Sequence, residues 1–484
     1  MPAIHLAQAL AILSNAWPTR GSRPSRSLPV EQALGQVAAE AVAASVDHPP
    51  TDQSLRDGVA YAAAPTPEML TRWATLPLAA EPENIRELQG DVFPGDSTPP
   101  PLLPGQAVRI MTGAAVPDGA CGVAMIEDVE WLNTSQAPDL SAHADSKWTT
   151  AQAASHVRLP AVRPRTHVLA RASIYARGDE LIPLGSRLEP ISLGLLASTG
   201  RDSIRCFVPP RVAVLTTGDE LVNAGQAIKP GHVYNSNGPL LRALLGQAGV
   251  TDLTVEHVGD QEEQIAAWLE RKLGAVDLIL TTGAVSAGQK DQLPALFQRF
   301  GVQTLFHGVH IKPGKPVFCG RFETSSNAAE NASAEPTMVL GLPGNPISVW
   351  VTFHLFGWPL LEMFHGRRYQ PRWLRARLSK TGNYQDSRLT FWPGQLQWGP
   401  APWEPSIGKI VNDTVNDTVN GRVADVSENF STSGNDTLSV RPLEWQGSAD
   451  LRSPTAANCL IYFPTDAPPP TRESLVDVLL LPSV

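Results

Sequence analysis

Three apolar runs, each ending in a glycine-bearing turn, constrain this chain more than any other feature. Val212-Ala213-Val214-Leu215 runs into Thr216-Thr217-Gly218-Asp219-Glu220, Leu278-Ile279-Leu280 into Thr281-Thr282-Gly283, and Met338-Val339-Leu340 into Gly341-Leu342-Pro343-Gly344-Asn345-Pro346. Runs that are apolar without alternation suit strands covered on both faces, and helical segments between them give the punctuation of a mostly parallel α/β sheet. One helix is expected over Leu240–Ala248, with cap candidates and Pro239 before it and Gly249 after it, and another from about Ile347 to Phe356. The three turns then lie at the carboxyl ends of sheet strands, where helix N-termini offer N–H groups and positive dipole ends. An anionic ligand is the expected occupant of that edge.

Neighbouring side chains agree. Lys312-Pro313-Gly314-Lys315-Pro316 places two ammonium groups three residues apart on a stiff loop suited to clamping oxyanions. Glu220, Asp260 and Asp291 fall in loops of the same sheet, and carboxylates beside a phosphate-like ligand are hard oxygen donors for Mg2+. Each of these residues alone reads as an ordinary solvated charge, and only their convergence on one edge points to a site. The P-loop, dinucleotide and HExxH signatures are absent, which disfavours generic ATPases and nicotinamide enzymes. These residues thus indicate a Mg2+-dependent enzyme handling an anionic, phosphorylated ligand, without naming it.

The rest of the chain sets the frame. Its 484 residues are enough for roughly three domains. A formal charge of −9 gives no basic footprint for nucleic acid. Cys121, Cys206, Cys319 and Cys459 lie far apart, which suits a reducing, cytoplasmic setting rather than a disulfide framework or zinc ribbon. No run approaches the eighteen or so consecutive apolar residues of a membrane span. Leu6–Leu13 reads as an ordinary first helix, and Pro29–Ser45 also has helical spacing. Asp57-Gly58 is turn chemistry by itself but a first functional candidate. From Val92 to Glu130 short strands suggest a small β lobe, and from Arg367 onward short strands with Pro/Gly turns suggest a β domain. The polar stretches 133–155, 322–337 and 411–420 read as exposed insertions.

In order along the chain, Asp57-Gly58, Arg109-Ile110-Met111-Thr112-Gly113-Ala114, Thr217-Gly218-Asp219-Glu220-Leu221, Val285-Ser286-Ala287-Gly288 with Asp291, Lys312-Pro313-Gly314-Lys315-Pro316 and Leu342-Pro343-Gly344-Asn345-Pro346 resemble the molybdopterin molybdenumtransferase (MoeA) family, which includes the E domain of gephyrin. The resemblance implies a multidomain α/β plus β architecture. Residues 1–48 and 159–207 would form an elongated linking and dimerisation domain and 49–158 a small β lobe. Residues 208–366 would form a MoaB/MogA-like α/β domain that binds molybdopterin, and 367–484 a C-terminal β domain. It also implies a homodimer whose clefts combine the α/β domain of one protomer with the β lobe of its partner.

The implied reaction is insertion of molybdate into adenylylated molybdopterin with release of AMP, using Mg2+. Glu220, Asp260 and Asp291 would match the acids near the metal and the adenylate phosphate, and Asp57 and Thr112 the residues from the partner's β lobe. Lys312, Lys315, Ser348 and Ser448 would match the molybdate pocket, while Gly218, Ser286, Pro343, Gly344 and Asn345 belong to substrate-binding turns. Beyond its two substrates, a molybdopterin adenylyltransferase or a client molybdoenzyme is an expected partner. Nucleic acid and membrane are not.

The chain also departs from the family pattern. Gly308 stands where the family has a lysine, Ala284 replaces the second glycine of a Gly-Gly-Val-Ser turn, Leu169 and Ile174 take an arginine and an aspartate position, and Pro393 takes an arginine position with Arg388 nearby. A lost charged hydrogen bond weakens an anion site by about 1.5–3 kcal/mol. The alternative reading is therefore a catalytically weakened paralogue that carries the cofactor or scaffolds a client enzyme.

Overall fold

The computed structural model describes the chain except for residues 1, 17–23, 74–81, 98, 133–153, 161–163, 284–291, 324–335, 368, 383, 385, 398–437, 466 and 483–484. The insertion at 411–420, most of those at 133–155 and 322–337, and the site candidates Ser286 and Asp291 lie outside the described residues. Two compact units are present, one built from residues 1–27, 35–39 and 205–484 and the other from 28–34 and 40–204.

The smaller unit holds a six-stranded sheet. Its strands are β1 (Gly58–Ala62), β2 (Ile85–Val92), β3 (Gln106–Ile110), β4 (Ala120–Met125), β5 (Glu130–Leu132) and β6 (His156–Arg158), in the order β4-β1-β3-β2-β6-β5. Asp57-Gly58 is therefore not a free turn: Gly58 opens an interior strand, β1, where a Cβ would lie 1.9 Å from the Ala124 carbonyl oxygen. Only glycine allows the β1–β4 pairing at that point.

The larger unit begins with α1 (Leu6–Ala16), whose Ala9, Leu13 and Ala16 are buried. Its α/β core runs β7 (Val212–Thr217), α2 (Asn237–Gln247), β8 (Leu253–Val258), α3 (Glu262–Lys272), β9 (Leu278–Thr282), α4 (Leu293–Arg299), β10 (Gln303–His307), β11 (Ile311–Lys312), β12 (Phe318–Phe322), β13 (Thr337–Leu342), α5 (Pro346–Thr352) and α6 (Trp358–Phe364). Strand order is β8-β7-β9-β13-β12-β10. The first three neighbouring pairs are parallel and the last two antiparallel, which makes the sheet mixed.

Successive side chains of each strand enter opposite cores. Val212, Val214, Leu278, Leu280 and Leu340 join Leu241, Leu245 and Ile347 on one face; Ala213, Leu215, Ile279 and Val339 join Ile265, Trp268, Leu269 and Phe297 on the other. Burial on both faces is why the strands read as unbroken apolar runs. Helix α5 leads through a π-helical turn, Phe353–Gly357, into α6. This 346–364 run is apolar enough to cross a membrane by length and composition, but here it is a core helix, 94% buried.

The C-terminal strands β14 (Trp373–Leu378), β15 (Leu389–Gln397), β16 (Ser439–Pro442), β17 (Cys459–Phe463) and β18 (Leu475–Leu480) follow the order β15-β16-β14-β18-β17, and β15 also pairs with β17, closing a barrel. Closure leaves no free edge in that ring. Strand β11 adds to the outside of β15, with Lys312 opposite Thr390.

One expectation fails outright. Pro29–Ser45 is not a helix: only Val30–Gln32 makes a 3-10 turn, and Val42–Ala43 is a strand paired with Glu180–Ile182. The backbone of Val37 and Ala39 is instead bonded to Phe207 and Arg205. Tertiary ladder bonds override helical periodicity here. The helix expected at Leu240 starts at Asn237, with Pro239 inside its first turn. All four cysteines are free, and burial pushes the Cys319 and Cys459 thiols up to about 12.

Candidate active site

The sheet register brings the predicted turns together. Thr216 of β7 pairs with Thr282 of β9, and Thr282 pairs with Leu342 of β13, so Gly218, Gly283 and Pro343 follow three adjacent strands at one edge. The Asn237 side chain at the start of α2 donates to the Gly344 carbonyl at 2.7 Å, joining helix and turn. Gly344 and Asn345 are exposed, Gly218 and Pro343 buried.

Carboxylates gather beside β7. The Asp260 N–H donates to Asp219 Oδ1 at 3.1 Å and the Asp219 N–H to Asp260 Oδ2 at 3.5 Å, which locks the two loops against each other. The Glu220 carboxylate folds over Gly218 and is exposed. Asp219 was not among the expected metal acids, yet its link to Asp260 makes it part of the cluster. Among the described residues no group of three or more His, Cys, Asp or Glu is arranged to hold a metal, and Asp291, the third expected acid, lies outside them. The donor set is nevertheless all oxygen. It fits Mg2+, which keeps several waters and takes one or two carboxylates together with phosphate oxygens.

The oxyanion candidates meet in one cavity of about 330 Å³, lined by Lys312, Lys315, Ser348, Arg388, Trp392, Trp445, Gly447 and Ser448 together with the prolines and glycine of the lysine loop. Four of these were expected from the sequence: Lys312, Lys315, Ser348 and Ser448. The register of β11 on β15 explains how Lys312 arrives beside Arg388. The Ile347 N–H at the start of α5 donates to the Ser448 carbonyl at 3.0 Å, which carries the barrel turn to Ser348.

Arg388, Trp392 and Trp445 complete the lining. Pro393, at the position the resemblance gives to an arginine, is buried in β15 opposite Leu460, and the cavity's guanidinium comes from Arg388. The indole of Trp392 donates to the Leu443 carbonyl at 2.8 Å and that of Trp445 to the Gly447 carbonyl, so both walls are fixed. The two rings meet edge to face at 4.9 Å.

Asp386, not itself a lining residue, bonds two of the lining cations. Lys312 Nζ donates to its Oδ2 at 2.8 Å, and Arg388 Nε donates to its Oδ1 at 3.3 Å. The hydrogen bond from Lys312 holds the Asp386 carboxyl down at about 2, against the opposing effect of partial burial. No spacing rule in the sequence flags this residue.

In the smaller unit Asp57 Oδ1 accepts the Thr112 N–H at 2.7 Å and the Thr112 hydroxyl at 2.8 Å. Arg109, from the same motif as Thr112, pairs with Asp91. Ile174 is exposed and Leu169 lies in a two-residue strand paired with Gln53.

Comparison with known proteins agrees with this geometry. Residues 4–200 match the MoeA N-terminal region (domain I and II), and residues 213–363 match a probable molybdopterin binding domain. A molybdopterin molybdenumtransferase of Bacillus subtilis is 30% identical over 334 residues, 69% of either chain. One from Nostoc sp. is 27% identical over 422 residues, 84% of this chain and 86% of its own length. The crystal structure of a molybdopterin biosynthesis moeA protein from Pyrococcus horikoshii OT3 shares the fold, with a TM-score of 0.70 at 21% identity over 99% of this chain and 100% of that one. The chain belongs to the molybdopterin molybdenumtransferase family.

Proposed function

We propose that this protein is the transferase of molybdenum cofactor biosynthesis that inserts molybdate into adenylylated molybdopterin and releases AMP, acting in the cytoplasm as a homodimer. The observation that carries the reading is the convergence of Lys312, Lys315 and Arg388 with Ser348 and Ser448 on one cavity. Molybdate is a tetrahedral dianion. Ammonium and guanidinium donors bind such a group without metal-ligand side chains, and hydroxyls orient its remaining oxygens.

The chain's own part in the reaction is binding, orientation and charge stabilisation. The cavity holds the oxyanion until the pterin's sulfur atoms become its ligands. The turns at Gly218, Ser286 and Pro343-Gly344-Asn345 would seat the adenylylated pterin. Glu220 and Asp260, with Asp291 as the expected third acid, would hold Mg2+. When bound, that ion supplies charge neutralisation at the adenylate phosphate as AMP departs. No protein nucleophile is needed: a water oxygen would bond to the adenylate phosphorus as the phosphoanhydride bond breaks, its protons passing to solvent, and preorganised donors would meet the charge left on the departing groups.

The test is AMP release from adenylylated molybdopterin by purified protein with molybdate and Mg2+, beside an Asp291→Ala variant, a tungstate control and an EDTA-treated sample. Release that needs Mg2+ and is abolished by Asp291→Ala establishes the transferase. Tight substrate binding without release establishes instead a carrier or scaffold for a client molybdoenzyme. One observation favours that second reading: Gly308 has φ +87°, and a Cβ there would sit 3.2 Å from that of Ala3, so the family's lysine has no ready seat.

A further inference from the structure

A cavity that binds a small, fully ionised dianion must solve two problems: it must keep several cations side by side without ligand, and it must refuse oxyanions that keep a proton. Lys312 and Arg388 are long side chains, each about a third exposed, that line the same cavity, and like charges in that position push one another into solvent. Ordering them only when ligand arrives would subtract their side-chain entropy from affinity. Asp386 removes that difficulty. Its Oδ2 takes Lys312, while its Oδ1 takes Arg388 and the Ser387 hydroxyl, the latter at 3.1 Å.

We propose that Asp386 is a positioning residue that presets Lys312 and Arg388 for a fully ionised tetrahedral oxyanion, and so fixes which oxyanion the cavity accepts. This rests on the molybdate reading above and deepens it. Two further facts support it. Three lining cations offset by one carboxylate leave a net charge that matches a dianion. Asp386 is also not itself one of the lining residues, and among the described residues no carboxylate lines the cavity. The indole N–H groups are taken by backbone carbonyls, so the charged groups facing the ligand are all donors. An oxyanion that keeps a proton, such as hydrogen phosphate, finds no carboxylate among the described lining residues to receive it. Molybdate, tungstate and sulfate carry none near neutral pH.

Calorimetric titration of molybdate, sulfate and phosphate into the full chain, its D386A variant and its D386N variant tests the inference, with thermal unfolding as the check on folding. The wild-type protein is expected to bind molybdate and sulfate at least tenfold more tightly than phosphate. D386A should weaken molybdate binding about tenfold or more, and D386N, which keeps one acceptor oxygen, should fall between. In turnover the KM for molybdate should rise while that for adenylylated molybdopterin stays, a split that general damage to the fold does not produce. Molybdate binding that is unchanged or tighter in both variants would show Asp386 to be only a screening charge and would overturn the proposal alone. Phosphate bound as tightly as molybdate by the wild type would overturn the selectivity. A wild type that binds no oxyanion at all would remove the molybdate reading, and this inference with it.

Discussion

Asp57 and Thr112, 55 residues apart, form one hydrogen-bonded unit: a single carboxylate oxygen accepts both the backbone N–H and the hydroxyl of the threonine. Two motifs that read separately along the chain are thus one structural element, held by the pairing of β1 with β3. Because the two side chains act together, their contributions to catalysis should not add. Asp57→Ala and Thr112→Ala are each expected to lower AMP release at least tenfold, and the double variant to be little worse than either. Additive losses would mean that the residues act independently. Mixing Asp57→Ala with Lys312→Ala protein should restore part of the activity if the β lobe of one protomer serves the α/β domain of its partner.

The cations of the cavity give a graded prediction. Truncating Lys315 or Arg388 to alanine removes charge-assisted hydrogen bonds, worth about 1.5–3 kcal/mol each, or roughly 10- to 150-fold in the dissociation constant of molybdate. Ser348→Ala removes a neutral donor and should cost about 1 kcal/mol. Titration calorimetry distinguishes these levels, and an Arg388→Ala protein that binds normally would exclude the arginine from the site.

How much of this was legible beforehand follows from the kind of signal each feature leaves. Strands β7, β9 and β13 were readable because burial on both faces leaves an apolar run, and their glycine turns because special backbone angles restrict residue choice. Lys312 and Lys315 were readable as a local motif. Arg388 is marked in the sequence only by its nearness to Pro393. Asp386 leaves no local signal, since its partner Lys312 lies 74 residues away and neither stands in a periodic pattern. The 29–45 segment misled for the opposite reason: its periodicity is real, but backbone pairing with the 205–207 stretch is stronger than an isolated helix. Barrel closure through β15 and β17 is likewise a long-range pairing that no local pattern carries.

Introducing at position 308 the lysine that the resemblance would place there should not help this protein. Gly308 occupies the left-handed region at φ +87°, between the Ile4 N–H that its carbonyl accepts and the Val317 carbonyl to which its own N–H donates. A side chain in that conformation costs roughly 1–2 kcal/mol, before the close approach to Ala3 is counted. Gly308→Lys is therefore expected to lower the melting temperature by several degrees and leave molybdate affinity unchanged. A gain in affinity without loss of stability would show that the backbone relaxes to accept the lysine and that the site lacks a cation it needs.

Acid sensitivity should come largely from His354. It sits in the π-helical turn, 4% exposed, with its Nδ1 lacking a partner, stacked on Trp358 and edge-on to Trp350. Burial lowers its pKa from 6.5 to about 4. The sign follows from which state takes the proton first. The unfolded chain protonates this imidazole near 6.5 and the folded chain only near 4, so stability is full above about 6.5 and falls as pH drops from there to about 4. The shift corresponds to a loss of up to about 3 kcal/mol at the acid end. His354→Phe replaces the ring with an apolar one of similar size and should flatten the profile of unfolding free energy between pH 4 and 6.5, measured by urea denaturation. An unchanged slope would place the acid sensitivity in other groups, and a variant that fails to pack could be replaced by His354→Leu, which removes the same titration.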